Sequence, residues 1–278
     1  MHQSVFVALA WSLAAATQVA TELSVRIVYQ FASNDTWLEN IAVRSNGIIL
    51  TTEIGPPARL LAFNANEANP EKQVLVTSDT VLGLSGISEG AHDVFYVTGA
   101  NTTSDNIEDP PTNATYVWEV DFTQNATLPA MEDDLIIDIN GIKVKDGYLA
   151  KLYSNVTAGV GKVIVNASPL DDFVIAPDGF RLNTTLGNST KYAYAATAAE
   201  NSILQISFNK AGGTNQTAIV AGDVDSTEIA EPTGTAFGRG EGQLNKLYVA
   251  TGGGSGVNVD ADGVETAVGA QLLEIQLS

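Results

Sequence analysis

From Leu38 to Thr52 the chain reads Leu-Glu-Asn-Ile-Ala-Val-Arg-Ser-Asn-Gly-Ile-Ile-Leu-Thr-Thr. Two apolar, β-branched runs flank an Asn-Gly pair, and little else constrains a fold so strongly over so few residues. Asn46 and Gly47 both tolerate positive φ, so the pair predicts a primed turn between two antiparallel strands. A Pro-rich break at Gly55-Pro56-Pro57 follows. Two further strand-like runs come next, Arg59 to Phe63 and Gln73 to Thr77. Four short antiparallel strands in succession make one blade of a propeller.

The phrase recurs. A second copy opens at Leu82 and runs through Asp93 to Gly99 and the alternating strand Tyr116 to Phe122. An outer strand is expected at Leu135 to Ile139. The third, Asn140 to Leu149, repeats the strand, turn and strand plan with Asp146-Gly147 at its turn. The fourth begins at Asp171-Asp172-Phe173 and continues through Tyr192 to Thr197, Ser202 to Phe208 and Thr217 to Ala221. The fifth runs from Pro232 through Lys246 to Thr251 and ends at Gln271 to Leu277. A lone leading strand, Leu23 to Phe31, is left to complete the last blade and close the ring. No amphipathic helix interrupts these phrases. The expectation is an all-β chain with a single β-propeller domain over residues 21–278.

Charge and composition narrow the function classes. Lys and Arg number 13 against 32 Asp and Glu, a formal charge of -19. A nucleic-acid partner needs a basic patch to neutralise phosphates, and an anionic membrane surface needs the same, so neither is expected. With no cysteine, disulfides, thiol catalysis and thiolate metal sites are excluded. The apolar run from Val5 to Ala16 with small residues behind it reads as a secretory signal over residues 1–20. Nine Asn-X-Ser/Thr acceptors fit that destination: Asn34, Asn101, Asn113, Asn125, Asn155, Asn166, Asn183, Asn188 and Asn215. Chance sequons in an Asn- and Thr-rich chain are the plainer account of some. No later run reaches the ~18 apolar residues of a membrane span.

Several segments carry a family resemblance: Trp37 to Arg44, Ile139 to Leu149, Asp171-Asp172-Phe173, and Pro232 to Arg239 with Leu247-Tyr248-Val249. In this order they resemble the fungal branch of the gluconolactonase and senescence-marker-protein superfamily of six-bladed β-propellers. That branch includes hetero-Diels–Alderases of tropolone-sesquiterpenoid biosynthesis, which join an o-quinone methide to a polyene. The chain departs from the family plan between Phe122 and Ile139 and again after Leu149. It is short by about one blade, at the ~40–50 residues a blade usually takes.

The resemblance implies two chemistries in the central channel. In lactonases of the superfamily a Glu, an Asn and an Asp hold a catalytic divalent ion, and Glu39, Asn140 and Asp172 (or Asp171) stand at comparable places. Their oxygens suit Ca²⁺ or another hard divalent cation, which would polarise a lactone carbonyl and activate water. The alternative is a cofactor-free pocket for an apolar small molecule. There Trp37, Tyr148 and Phe173 would form walls, and Asn140 or Lys143 would donate a hydrogen bond to the quinone-methide oxygen. Packing between blades is the plainer role for each aromatic. His92, the histidine outside the leader, lies beside Gly90-Ala91 and reads as a turn residue rather than a catalytic base. Three classes stay open: a hetero-Diels–Alderase-like cyclisation enzyme of secondary metabolism, a divalent-metal lactonase or esterase, and a non-catalytic secreted binding propeller or degenerate paralogue. Nothing in the sequence fixes an oligomeric state.

Overall fold

The computed structural model describes residues 23–103, 106, 115–123, 144–145, 148–149, 170–177, 190–209, 216–224, 227–255 and 267–277. In chain order the strands are β1 (Val25–Gln30), β2 (Trp37–Val43), β3 (Ile49–Ile54), β4 (Ala58–Phe63), β5 (Gln73–Ser78), β6 (Gly83–Glu89), β7 (Val94–Ala100) and β8 (Thr115–Asp121). They continue with β9 (Val144–Lys145), β10 (Tyr148–Leu149), β11 (Phe173–Ile175), β12 (Thr190–Ala196), β13 (Ser202–Asn209), β14 (Gln216–Gly222), β15 (Pro232–Phe237), β16 (Lys246–Thr251) and β17 (Gln271–Gln276).

These strands form radially ordered antiparallel sheets. One is β2-β3-β4-β5, and β6-β7-β8 joins it through a single pairing of Ile54 with Gly83. Another is β11-β12-β13-β14, and a further one is β15-β16-β17-β1. The leading strand thus completes the last sheet, pairing Val25 to Gln30 against Ile275 to Gln271. Among the described residues β9 and β10 form a short hairpin of their own. The chain is an all-β propeller. The expected outer strand at Leu135 to Ile139, the leader over residues 1–20, and most of the segment on which the shortfall of a blade rests lie outside the described residues.

The opening turn differs in type from the primed turn. Gly47 alone takes positive φ, at 86°. Its N–H donates to the Arg44 carbonyl at 2.9 Å, and Arg44 N–H donates to the Ile48 carbonyl at 2.8 Å. That is a four-residue turn closed by a glycine bulge, the usual three-residue hairpin loop. The Asn46 side chain accepts from Ile48 N–H at 3.0 Å, so asparagine serves here as a local acceptor and not as a left-handed residue.

The hydrophobic cores lie between consecutive sheets. Leu38, Ile41, Val43 and Phe63 pack on Tyr248 and Leu272, joining the first sheet to the last. Leu50, Leu60, Leu84, Phe95 and Trp118 join β2-β5 to β6-β8. Tyr194, Ile203, Phe237, Leu247 and Leu273 join β11-β14 to the last sheet. Strands β3 and β15 are buried at every position because each has a neighbouring sheet on both faces. The outer strands β5 and β14 keep mostly solvated surfaces. The same packing sets β2, β6, β11 and β15 innermost, around the axis.

Two described sequons stand on loops. Asn34 is exposed between β1 and β2, and Asn101 is half-buried just after β7. Asn113, Asn125, Asn155, Asn166, Asn183, Asn188 and Asn215 lie outside the described residues. Among the described residues no helix is long and apolar enough to cross a membrane.

Candidate functional site

The inner strands carry opposite chemistry at their two ends. Carboxylates gather where β2, β11 and β15 begin. In β2 the register against β3 slips between Leu38 and Asn40, which leaves Glu39 as the bulged residue. A bulge re-aims a side chain that a regular ladder would hold in the pleat. Glu39 is only 4% exposed, and its Oε2 accepts from Trp37 Nε1 at 2.7 Å. Burial, followed by the nearby Asp171 charge, pushes its carboxyl up to about 8, with Asp172 and Glu231 adding to the rise.

Asp171 and Asp172 stand immediately before β11. Burial first, then Asp172 and Glu231, push Asp171 up to about 7. The Asp172 carboxylate accepts from Asn40 Nδ2 at 2.8 Å and from Phe173 N–H at 2.7 Å. Glu231 immediately precedes β15, with its backbone at a φ of 53°. Its N–H donates to Asn201 Oδ1 at 2.9 Å, and its carbonyl accepts from Gly252 N–H at 2.7 Å. Those two bonds hold a conformation that L-residues seldom adopt. Burial pushes Glu231 up to about 7, and its Oε2 is buried with no hydrogen-bond partner. Thr233 Oγ1 reaches from β15 to the Leu38 carbonyl at 2.6 Å and fixes the two strand heads together.

Two to four residues further along β2, roughly 7–13 Å at ~3.3 Å per residue, the surroundings become apolar. The later halves of β2, β6, β11 and β15 line an open cavity of about 530 Å³. Ile41, Val43, Ile87, Phe95, Val174 and Phe237 supply much of its wall. The ionisable groups on that wall, Glu89 and Arg239, are bonded to each other.

The sequence-predicted residues are distributed unevenly over this arrangement. Glu39, Asp171 and Asp172 do converge at the acidic end, and Trp37 is bonded to Glu39 there. Phe173 lies beside Asp172 and is 45% exposed. Neither aromatic lines the apolar cavity. Tyr148 pairs with Lys145 in the β9–β10 hairpin, but its side chain is outside the described residues, as are Asn140 and Lys143. His92 is exposed on the β6–β7 turn, next to an Asp93 carboxylate that Arg44 holds through two hydrogen bonds. Sequence reasoning missed Glu231, Asn40 and the Arg239–Glu89 pair. Glu231 was findable, because Glu231-Pro232 precedes its inner strand just as Asp171-Asp172 precedes Phe173. Nothing local marks Arg239.

No family model matches the sequence. A Phoma sp protein named "Putative hetero-Diels-Alderase" is 32% identical over 108 residues, which is 38% of this chain and 30% of that protein. The matched part therefore spans under a third of that curated relative. Among solved structures, the PQQ-bound form of an aldose sugar dehydrogenase from Streptomyces coelicolor superposes over 93% of this chain and all of its own, at 11% identity and a TM-score of 0.54. The WD40 β-propeller domain of Doa1 covers 91% of this chain and 96% of its own, at 9% identity and a TM-score of 0.42. At such identities the dehydrogenase likeness speaks for the fold alone. The sequence relative is weakly similar, and its name describes that protein alone.

Proposed function

We propose that this chain is a hetero-Diels–Alderase-like cyclisation enzyme that joins an o-quinone methide to a terpene or other polyene in the channel cavity. The carrying observation is the cavity of about 530 Å³, walled by apolar side chains of four inner strands, whose two ionisable groups neutralise each other. Its volume falls within the ~300–1,000 Å³ typical of small-molecule sites. The reaction forms one C–O and one C–C bond, releases no atom and moves no proton, so it requires no general base. It requires two apolar partners held in reacting geometry, which supplies up to ~7–11 kcal/mol. The weak relative points the same way.

The test is direct. A quinone methide released in situ, mixed with a terpene alkene and the purified chain, is expected to give adduct enriched in one enantiomer on chiral chromatography. Ile175→Trp, which fills the cavity from its edge, is expected to return the product to the racemic background without lowering the melting midpoint. Racemic product from a cooperatively folded wild type sinks the reading.

The acidic end favours a second reading, a divalent-metal lactonase, because a cation would relieve the crowding of Glu39, Asp171 and Glu231. The described residues do not make that ligand set. No three acidic or histidine side chains among them are placed to share one ion. Glu39 spends an oxygen on Trp37, and Asp172 is bonded to Asn40 and Phe173. Asn140, the third expected ligand, lies outside the described residues. Cofactor-free action is part of the proposal, and melting midpoints in EDTA and in millimolar Ca²⁺ are expected to agree within about 1 °C. A ligand at ~100 times its dissociation constant would add about 2.7 kcal/mol. A shift of several degrees, lost in Asp172→Ala, would bring the lactonase forward.

A further inference from the structure

The apolar cavity carries a single ion pair on its wall, and the basic partner of that pair is only partly used. Arg239 follows β15 within two residues, and its Nη1 donates both to the Val43 carbonyl at 3.1 Å and to the Glu89 carboxylate. It thereby reaches from the last sheet to the ends of β2 and β6, across the cavity. Its side chain keeps 38% of its surface open, and that of Glu89 keeps 21%. Both named bonds use Nη1; among the described residues Nε and Nη2 have no acceptor. A guanidinium presents five N–H donors in a fixed fork, so this one retains capacity for an oxygen arriving from the cavity. Arg44 stands close by, and both arginines act on Asp93. Each arginine at this end is paired with a carboxylate, Arg239 with Glu89 and Arg44 with Asp93, so what distinguishes Arg239 is that it lines the cavity with donors to spare.

We infer that the cavity takes a ligand with an apolar body and one anionic or strongly polarised oxygen head, and that Arg239 reads the head while Glu89 holds the guanidinium in place until it arrives. This rests on the site assigned above: in the cycloaddition the heterodiene oxygen is that head, and a preorganised donor on it stabilises charge developing there. Arg239 would then touch the reacting oxygen, whereas Glu89 acts through Arg239 as a positioning residue.

Two matched fluorescent probes test the inference without any turnover. 1-Anilinonaphthalene-8-sulfonate carries an anionic head on an apolar body, and N-phenyl-1-naphthylamine is the same body without the head. The wild type is expected to bind the sulfonate about tenfold more tightly, which is about 1.4 kcal/mol, despite the net charge of -19. Arg239→Gln should bring the sulfonate down to the level of its neutral twin and leave the twin unchanged. Glu89→Gln keeps an oxygen acceptor that holds Nη1 in place but removes the competing charge, and should raise sulfonate affinity several-fold, an opposite effect that a loss of structure would not give. Ile175→Trp should weaken both probes. Equal affinity of the two probes in the wild type, an unchanged sulfonate affinity in Arg239→Gln, or binding of both probes that survives Ile175→Trp would each overturn the inference. If the probes behave as expected and no enantioenriched adduct forms, the ligand class stands and the cycloaddition falls.

Discussion

Deleting residues 23–31 is expected to abolish cooperative folding at 37 °C. The strand β1 supplies the outer edge of the sheet that also contains β15, β16 and β17, pairing with β17 over five register positions. Val28 and Phe31 belong to the core that joins the last sheet to the first, and both are buried. Tyr29 packs edge-on to Phe31 and against Phe63, with ring centroids 5.2 Å away in each case. Truncating a buried Phe typically costs ~3–5 kcal/mol, and burying a Val contributes a further ~1.5–3 kcal/mol. The Glu274 carboxylate also loses its Arg26 partner, at 2.7 Å, and keeps Lys246 as its cation. Together these losses approach the ~5–15 kcal/mol that holds a whole domain. The deletion also leaves β17 as an unpaired edge, a template for aggregation. Urea unfolding followed by near-ultraviolet circular dichroism checks this. A cooperative transition within about 0.5 M of the wild-type midpoint, with roughly 10–15% uncertainty in such extrapolations, would show that the ring does not depend on its leading strand. Val28→Asp is the gentler version, and it should destabilise strongly by burying an unpaired charge.

The second large effect is a loss of stability as pH rises through neutrality. Glu39, Asp171 and Glu231 have carboxyls raised to about 8, 7 and 7, all above their ordinary values. For an acid whose pKa is raised by folding, the native state holds the proton more tightly than the unfolded chain does. Its contribution is therefore complete below the unfolded pKa and disappears as pH rises through the folded one. The window runs from about pH 4.5 to about pH 8. At ~1.36 kcal/mol per unit, Glu39 alone, lifted from 4.5 to about 8, accounts for on the order of 4–5 kcal/mol. Asp171 and Glu231 are more open to water and add less. At the acid end the sign reverses. The hydrogen bonds from Arg44 hold Asp93 below its usual range, so its share is lost as pH falls through that depressed value. The stability optimum is expected between about pH 4.5 and pH 6.

Glu39→Gln isolates the effect. The amide oxygen of the replacement can still accept from Trp37 Nε1, and the ionisation is gone. This variant is expected to match the wild type at pH 5 within about 1 kcal/mol and to exceed it by several kcal/mol at pH 8.5. Chemical denaturation at the two pH values decides the matter. Parallel behaviour of variant and wild type would mean that Glu39 is already ionised at neutral pH without cost.

Some of this was legible along the chain. Strand positions follow from local alternation and from Gly and Pro punctuation, which report on a few residues at a time, and Leu38 to Thr52 shows how well that works. The hairpin is there, with its strands where the apolar runs lie. Its turn type was not legible, because Asn46 and Gly47 are both permissive, and the pairing of Arg44 with Ile48 selects a bulged turn over a primed one. The leading strand was legible as a strand, and its partner β17 followed from the need to close a ring.

The sites divide along the same line. Glu39 and Asp172 could be placed at strand heads, because the order of phrases puts each at the start of an inner strand. That Glu39 is bulged, buried and bonded to Trp37 depends on the register slip between Leu38 and Asn40, and no pattern of period two contains that slip. Trp37 and Phe173 were expected as walls of the ligand cavity; Trp37 is bonded to Glu39, and Phe173 is 45% exposed beside Asp172.

By itself the sequence determined an all-β chain of repeated antiparallel phrases, strongly acidic overall, with carboxylates at the heads of its inner strands. Alternation, turn chemistry and charge are properties of neighbouring residues, and they survive reading in one dimension. Only the tertiary structure decided that Ile41, Val174 and Phe237, from three different sheets, share one apolar cavity. Only it decided that Arg239 meets Glu89, 150 residues away. Such meetings are set by how sheets pack around an axis, a long-range choice made by the inter-sheet cores.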